Sequence, residues 1–429
     1  MSITRHNQVN IAGRPHKSNP FPLYTQLRAE QPVCPVKLPD GRTMWLVTRY
    51  DDVVSVLKDV RFVKNPANVD PAYPAPKQLW VPKFAHVLTR HMLNMDKADH
   101  TRLRSLVNKA FSPRLVEQMR GRIESLTTEL LQAKQGQAQI DLVQDYAMPI
   151  PTTIISEMLG VPAEDHARFN RWTNTVMQAA TTKFSMIRGI PDVWAFIRYI
   201  RKLVRLRQQD PQEDLVSELV RAEVDGERLN EDELVSMVFL LLVAGHETTL
   251  NLIGTGMLAL LQHPEQLQLL RDDPSLIEST VEELLRYTSP VEMGTERWAR
   301  EDVTISGVDV PGGSLVGVML AAANRDENQF ADADTVNIQR EPNRHLAFGL
   351  GAHYCTGAPL ARLETQIAIN TLLQMAPQLE VAVTASKLRW RQGLVTRGVE
   401  SLPVNVRWQT TADADAQQLA PLHSGSARN

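Results

Sequence analysis

Phe348-Gly-Leu-Gly-Ala-His-Tyr-Cys-Thr-Gly357 sets one cysteine among three glycines, directly ahead of a helical run. From Ala358 to about Ala376, Leu360, Leu363, Ile367, Ile369, Leu372 and Leu373 recur at helical spacing. Pro359 suits a first helical turn, where a missing N–H costs nothing. Cys355 therefore stands just upstream of a helix N-terminus, with unpaired amides and the positive dipole end directed at its sulfur. Both favour thiolate over thiol. Gly349, Gly351 and Gly357 let the backbone turn sharply and let something large and flat approach. A lone cysteine cannot build a four-cysteine zinc or iron–sulfur centre, but it can be one axial ligand of a metal held in a macrocycle. The competing reading is a buried structural cysteine in a glycine-rich turn.

The bulk properties narrow the field. The chain has 429 residues, 43% hydrophobic and 22% charged, enough for a large core. Length alone suggests about three domains, yet no linker, repeat or charge block divides the sequence. One domain is expected over 1–409, with 410–429, rich in Ala, Asp, Gln and Ser, as a disordered tail. A formal net charge of −3 gives no argument for nucleic acid or membrane surfaces. Two cysteines, Cys34 and Cys355, make no disulfide framework, which points to a reducing, cytoplasmic setting. The start, MSITRHNQVNIAG, lacks a signal-peptide core, and no membrane anchor is expected.

Along the chain, a short helix over 20–33 leads to a hairpin around Pro39-Asp-Gly41, with Cys34 as a structural residue. A helix over 51–58 precedes a proline-rich loop at 65–83. An acidic start at Asp96 opens a helix on which His100 and Arg104, four apart, share a face. Further helices are expected over 114–134, 141–160, 163–183 and 191–208. The apolar and aromatic run of Phe169, Trp172, Val176, Met177, Phe184, Met186, Ile187 and Trp194 reads as a buried helical seam. The longest helix spans about 230–263, started by Asn230 and three acids. Its middle, Val238 to Ala244, is apolar all round, and then Gly245-His-Glu-Thr-Thr249 breaks the pattern. Leu250 rules out a zinc-binding HExxH. Burying Glu247 and two threonines mid-helix is costly without a purpose, and a threonine hydroxyl there can take the i−4 carbonyl and open the helix. Glu283 and Arg286 can pair at i, i+3. Strand-like alternation follows over 291–321 and 388–408.

Four stretches in order resemble the cytochrome P450 family: the His-Thr-Arg-Leu-Arg helix, Ala-Gly-His-Glu-Thr-Thr, Glu-Leu-Leu-Arg and the cysteine loop, in a likeness covering about residues 15 to 408. The resemblance implies a mainly α fold with small β-sheets (α+β). It is a triangular, helix-rich single domain with haem between the long central helix and the Cys-loop helix. Its β-rich lobe draws on about 34–50, 291–321 and 388–408. Haem b (iron protoporphyrin IX) is then the cofactor and Cys355 the metal ligand, in a loop shaped by Phe348, Gly351 and Gly357. His100, Arg104, Arg297 and His353 match the family's propionate-binding residues; Arg and His suit carboxylates through charge-assisted hydrogen bonds. Glu247 and Thr248 match its acid–alcohol pair, which relays protons. Glu283 and Arg286 match a structural pair, with Arg340 or Arg344 as a third partner. Leu240, Val243, Ala244, Val291, Met293 and Leu394 are expected to line the substrate pocket.

The activity so implied is that of a haem-thiolate monooxygenase, inserting one atom of dioxygen into a C–H or C=C bond of a hydrophobic small molecule. With no flavin or nicotinamide motif, electrons come from a ferredoxin and its reductase or a flavodoxin. The expected dock lies over the cysteine loop, edged by Arg102, Lys109, Arg114, Arg344 and Arg362, on a monomer. The alternatives are a peroxide-driven peroxygenase, whose relatives usually lack the acid–alcohol pair, and a non-catalytic haem protein that senses or sequesters a ligand.

Overall fold

A computed structural model describes residues 10–409 except 39, 77–80 and 180–182, and omits the side chains of 170, 173, 174 and 176–187. The expected tail, the turn residue Pro39 and the side chains of Val176, Met177, Phe184, Met186 and Ile187 thus lie outside the described residues.

The helices that matter here are α1 (Arg14–Ser18), α2 (Phe21–Glu30), α3 (Tyr50–Lys58), α4 (Lys97–Ala110), α5 (Pro149–Met158), α6 (His166–Ala179), α7 (Lys183–Gln209), α8 (Glu231–Gln262), α9 (Ile277–Thr288) and α10 (Ala358–Met375). Five strands form one sheet: β1 (Val33–Lys37), β2 (Thr43–Val47), β3 (Phe62–Val63), β4 (Arg297–Ala299) and β5 (Leu315–Val318), in the order β1-β2-β5-β4-β3. β1 and β2 pair antiparallel with Cys34 opposite Leu46; β2 and β5 pair parallel. A second sheet joins Gln139–Asp141, Gln378–Val381 and Pro403–Arg407. This is the expected α+β division, 55% helical with small sheets.

Several boundaries differ from expectation. The helix expected at 191–208 begins at Lys183 and runs through Pro191. The stretch 141–160 is a strand end, a π-turn over Leu142–Ala147 and then α5. The π-turn starts where Asp141 accepts from the amides of Val143 and Gln144. Cys34 is buried in β1, and burial pushes its thiol up to about 11, as an inert structural cysteine requires.

α8 is the spine. Asn230 and Glu233 close a capping box at its start. Its length and composition would suit a membrane span, but it is buried against α5, α9 and α10, so its apolarity is core apolarity. Leu234 to Leu242 join one hydrophobic core, and Leu250 to Leu260 join a second. α10 is shared likewise: Leu360, Leu363 and Ile367 in the first, Ala368, Ile369 and Leu372 in the second. The stretch 243–249 belongs to neither core, and there Ala244 is exposed in mid-helix. An alanine exposed amid buried turns marks an open slot alongside α8.

Candidate functional site

The cysteine loop gets its shape from two left-handed glycines, Gly349 (φ +70°) and Gly351 (φ +75°). A Cβ on Gly351 would come within 3.2 Å of the Leu57 carbonyl oxygen, so that glycine serves close approach to α3 rather than to a flat ligand. The Cys355 amide donates to the Phe348 carbonyl at 2.9 Å. Gly357 caps α10, with the proline in its first turn. Arg362 stacks 4.6 Å over the Phe348 ring and donates to Glu282 at 2.6 and 2.8 Å. The loop is thereby tied to α9.

Cys355 is solvent-accessible, yet protein crowds its sulfur enough that burial is the largest influence on its acidity. Burial pushes the thiol up, against the amides of Gly357 and Ala358 and the charges of Arg104 and Arg362. The helix-end amides act as expected, but burial outweighs them. Metal binding at such a thiol releases its proton.

Beside the sulfur, cationic side chains converge. The His100 and His353 rings lie 4.2 Å apart. His100 Nε2 is buried without a hydrogen-bond partner among the described residues. Burial drives His353 down to about 2, helped by Lys64, His100, Arg297 and Arg104. Arg297, 4% exposed, spends Nη1 on the Thr295 carbonyl at 3.1 Å and is pushed down to about 10 by burial. Arg104 is likewise lowered, chiefly by burial. Lys64, absent from the sequence reading, joins this group: it donates to the carbonyls of Thr295 (2.9 Å) and Glu296 (2.8 Å). Burial and Arg297 hold its pKa well below the usual value. Asp96, which accepts from the amides of Lys64 and Asn65 and from Asn68, and Glu296 act in the opposite direction. A set of basic, hydrogen-bond-donating side chains with an orphaned imidazole nitrogen fits a flat cofactor bearing carboxylates, with Cys355 as its ligand. No local sequence signal marks Lys64 beyond its place at the end of an apolar strand.

Across the slot, the Thr248 hydroxyl donates to the Ala244 carbonyl at 2.7 Å. The i−4 bond forms as expected, but α8 stays helical throughout rather than opening. Glu247 Oε1 accepts from the Thr396 hydroxyl at 2.8 Å. Thr396 is bridged to Val291, with Val395 accepting from the amides of Glu292 (2.8 Å) and Met293 (3.3 Å). His246 points away into burial, which lowers it to about 4, so it stays neutral.

The expected pocket residues divide. Val243, Val291 and Leu394 are half-buried and Ala244 is exposed. Leu240 belongs to the helical core. Met293 is 1% exposed in the β-lobe core, where its sulfur packs at Gly317, and it does not line the slot.

Glu283 and Arg286 are fully buried, pairing at 2.7 and 2.8 Å. Arg340 is the third partner, donating to both Glu283 oxygens at 3.2 Å; Asn343 adds a fourth contact at 3.1 Å. Arg344 is exposed instead, its carbonyl accepting from Tyr50. Of the expected docking residues, Arg102 is committed to Glu233 and Arg362 to Glu282, whereas Arg114 and Arg344 are exposed with no ion pair among the described residues.

A family model described as Cytochrome P450 matches residues 9–376. Over 397 residues the chain is 43% identical to the polyketide biosynthesis cytochrome P450 PksS of Bacillus subtilis (strain 168), covering 92% of this chain and 97% of that protein. It is 41% identical over 409 residues to the vitamin D(3) 25-hydroxylase of Pseudonocardia autotrophica, covering 95% and 98%. The solved structure of PksS superposes with a TM-score of 0.87 at 42% identity, covering 93% of this chain and 100% of that one.

Proposed function

The chain belongs to the cytochrome P450 family and is a haem monooxygenase of that family, and from that premise we propose that it inserts one atom of dioxygen into an unactivated C–H or C=C bond of a hydrophobic small molecule. The observation that carries the assignment of the site is the group of basic side chains beside Cys355: Lys64, His100 and Arg297, all buried, gather with the half-buried Arg104 and His353, and burial lowers the pKa of each. Haem b, with two propionates, would meet that charge. When bound, the haem supplies the oxygen-activating chemistry, and the Cys355 thiolate pushes electron density toward its iron.

The chain's own residues do the rest. His100, Arg104, Arg297, His353 and Lys64 orient the cofactor by its carboxylates. Ala244 leaves room beside α8, and Val243, Val291 and Leu394 offer apolar contact that would exclude water from a bound substrate. Glu247 and Thr248 hold and pass protons on the slot side of α8. One named relative is a polyketide biosynthesis cytochrome P450 and the other a vitamin D(3) 25-hydroxylase, which supports a hydrophobic small molecule as substrate. Electrons would come from a ferredoxin or flavodoxin, on a monomer working in the cytoplasm.

The test is spectroscopic. The reduced, carbon-monoxide-bound protein should show the Soret band at the thiolate position, and Cys355→Ser or Cys355→His should lose both that band and oxygenation. If spectrum and oxygenation survive either change, the reading fails. Peroxide-driven turnover with none from a reductase would turn the reading toward a peroxygenase.

A further inference from the structure

A buried ion pair lies behind the acid of the site. Lys17 in α1 is fully buried, and its ammonium meets the Glu292 carboxylate, itself 1% exposed. The Tyr24 hydroxyl in α2 donates to the same carboxylate, and His16 Nε2 stands 3.1 Å from that hydroxyl. Burial, more than any neighbour, lowers the Lys17 pKa, with Glu292 opposing. Such a pair contributes little to stability, because desolvation consumes most of the attraction. Its placement calls for another reason.

The contacts of Lys17 supply one. Its ammonium also donates to the Thr396 carbonyl at 3.1 Å, and its own carbonyl accepts from Arg397 Nε at 3.0 Å. Lys17 thus grips the turn on both sides of the Thr396–Arg397 peptide. Thr396 in turn gives its hydroxyl to Glu247 at 2.8 Å. One helical turn on, Asn251 is 1% exposed, and its amide oxygen and nitrogen both lack partners among the described residues. A Cβ on Gly398 would overlap that amide, so the stretch Thr396–Gly398 runs directly against α8 at the Glu247–Asn251 face.

We propose that Lys17 is a positioning residue for the site: the buried Lys17–Glu292 pair fixes the Thr396 turn, and the Thr396 hydroxyl holds the Glu247 carboxylate in one orientation for proton transfer. The inference rests on the reading of Glu247 as the proton-relaying acid. It adds Lys17, Glu292 and Thr396 to the residues that govern that step, and it makes the N-terminal helix part of the active-site support.

The experiment uses the haem-loaded full chain, a surrogate ferredoxin and reductase, and myristic acid as probe substrate. The infrared carboxylate band of Glu247 is assigned by its loss in Glu247→Gln, and peroxide released per electron pair is measured alongside. Thr396→Val should shift the band and raise peroxide release about three- to tenfold, the factor one hydrogen bond commands. Lys17→Met combined with Glu292→Gln, which removes both charges together, should shift the band in the same sense. In a Glu247→Gln background Thr396→Val should add nothing, since the two act as one unit. An unmoved band in Thr396→Val, or a rise in peroxide that persists without Glu247, overturns the proposal. If the Lys17/Glu292 variant does not fold, Thr396→Val decides alone. If Glu247→Gln itself leaves coupling unchanged, the relay reading fails, while the band still reports whether Thr396 positions the carboxylate.

Discussion

The imidazoles of His100 and His353 stand 4.2 Å apart, and the neighbours acting on His353 beyond burial are all basic groups that disfavour its protonation: Lys64, His100, Arg297 and Arg104. Such a cluster is unfavourable until an anion enters it, so these residues should grip haem through its carboxylates. Charge-assisted hydrogen bonds contribute about 1.5–3 kcal/mol each, and each 1.4 kcal/mol is tenfold. His100→Ala and Arg297→Ala should each speed haem transfer to an acceptor protein by roughly ten- to a hundredfold, and Lys64→Met should speed it too. Unchanged transfer in Arg297→Ala would remove the propionate assignment.

The Glu283–Arg286–Arg340 cluster is a different kind of charge site. All three side chains are buried or nearly so, and the two arginines compensate Glu283. Removing one partner of a buried pair costs roughly 3–5 kcal/mol. Glu283→Gln should therefore lower the urea midpoint steeply, while Arg340→Lys, which keeps charge but loses the fork, should cost about 1 kcal/mol. If Glu283→Gln unfolds at the parent's midpoint, the cluster does not hold the fold.

What the sequence made legible was local. The cysteine loop, the capped start of α8 and the Glu283–Arg286 spacing are each written within a few residues, and capping, glycine chirality and helical periodicity are short-range rules. Lys64, Lys17 and Glu292 were not legible, because their meaning comes from neighbours hundreds of residues away: Lys17 meets Glu292 and Thr396 only in the folded chain. Arg340 was one of two candidates, and only the folded meander separates it from Arg344. Met293, expected at the pocket, packs in the β-lobe core at Gly317, a placement set by residues distant in the chain. The continuous helix through Pro191 defied a local breaker, a case of tertiary packing overriding propensity.

The surface over the cysteine loop yields a kinetic prediction. Arg114 and Arg344 are exposed and free of ion pairs among the described residues, whereas Arg102 and Arg362 are already engaged. Arg114→Glu and Arg344→Glu should each slow reduction by a ferredoxin roughly threefold or more at low ionic strength. The difference should fade in high salt, as screened encounters require. Stopped-flow reduction across a salt series checks this. Rates indifferent to both charge reversal and salt would place the dock elsewhere.

Glu364 in α10 is 1% exposed, and burial alone pushes its carboxyl up to about 8 from an ordinary 4.5. The folded chain therefore holds this proton far more tightly than the unfolded chain does. A raised folded pKa means its contribution is fully present below the unfolded value and is lost as pH rises through the folded one. Glutamine cannot ionise and should escape that loss. Glu364→Gln should match the parent near pH 4 and exceed it near pH 8 by about 2–5 kcal/mol. The comparison is made by urea unfolding at both pH values, with haem content held equal. A gap that does not widen with pH would mean that Glu364 is ionised in the folded protein and has a counter-charge.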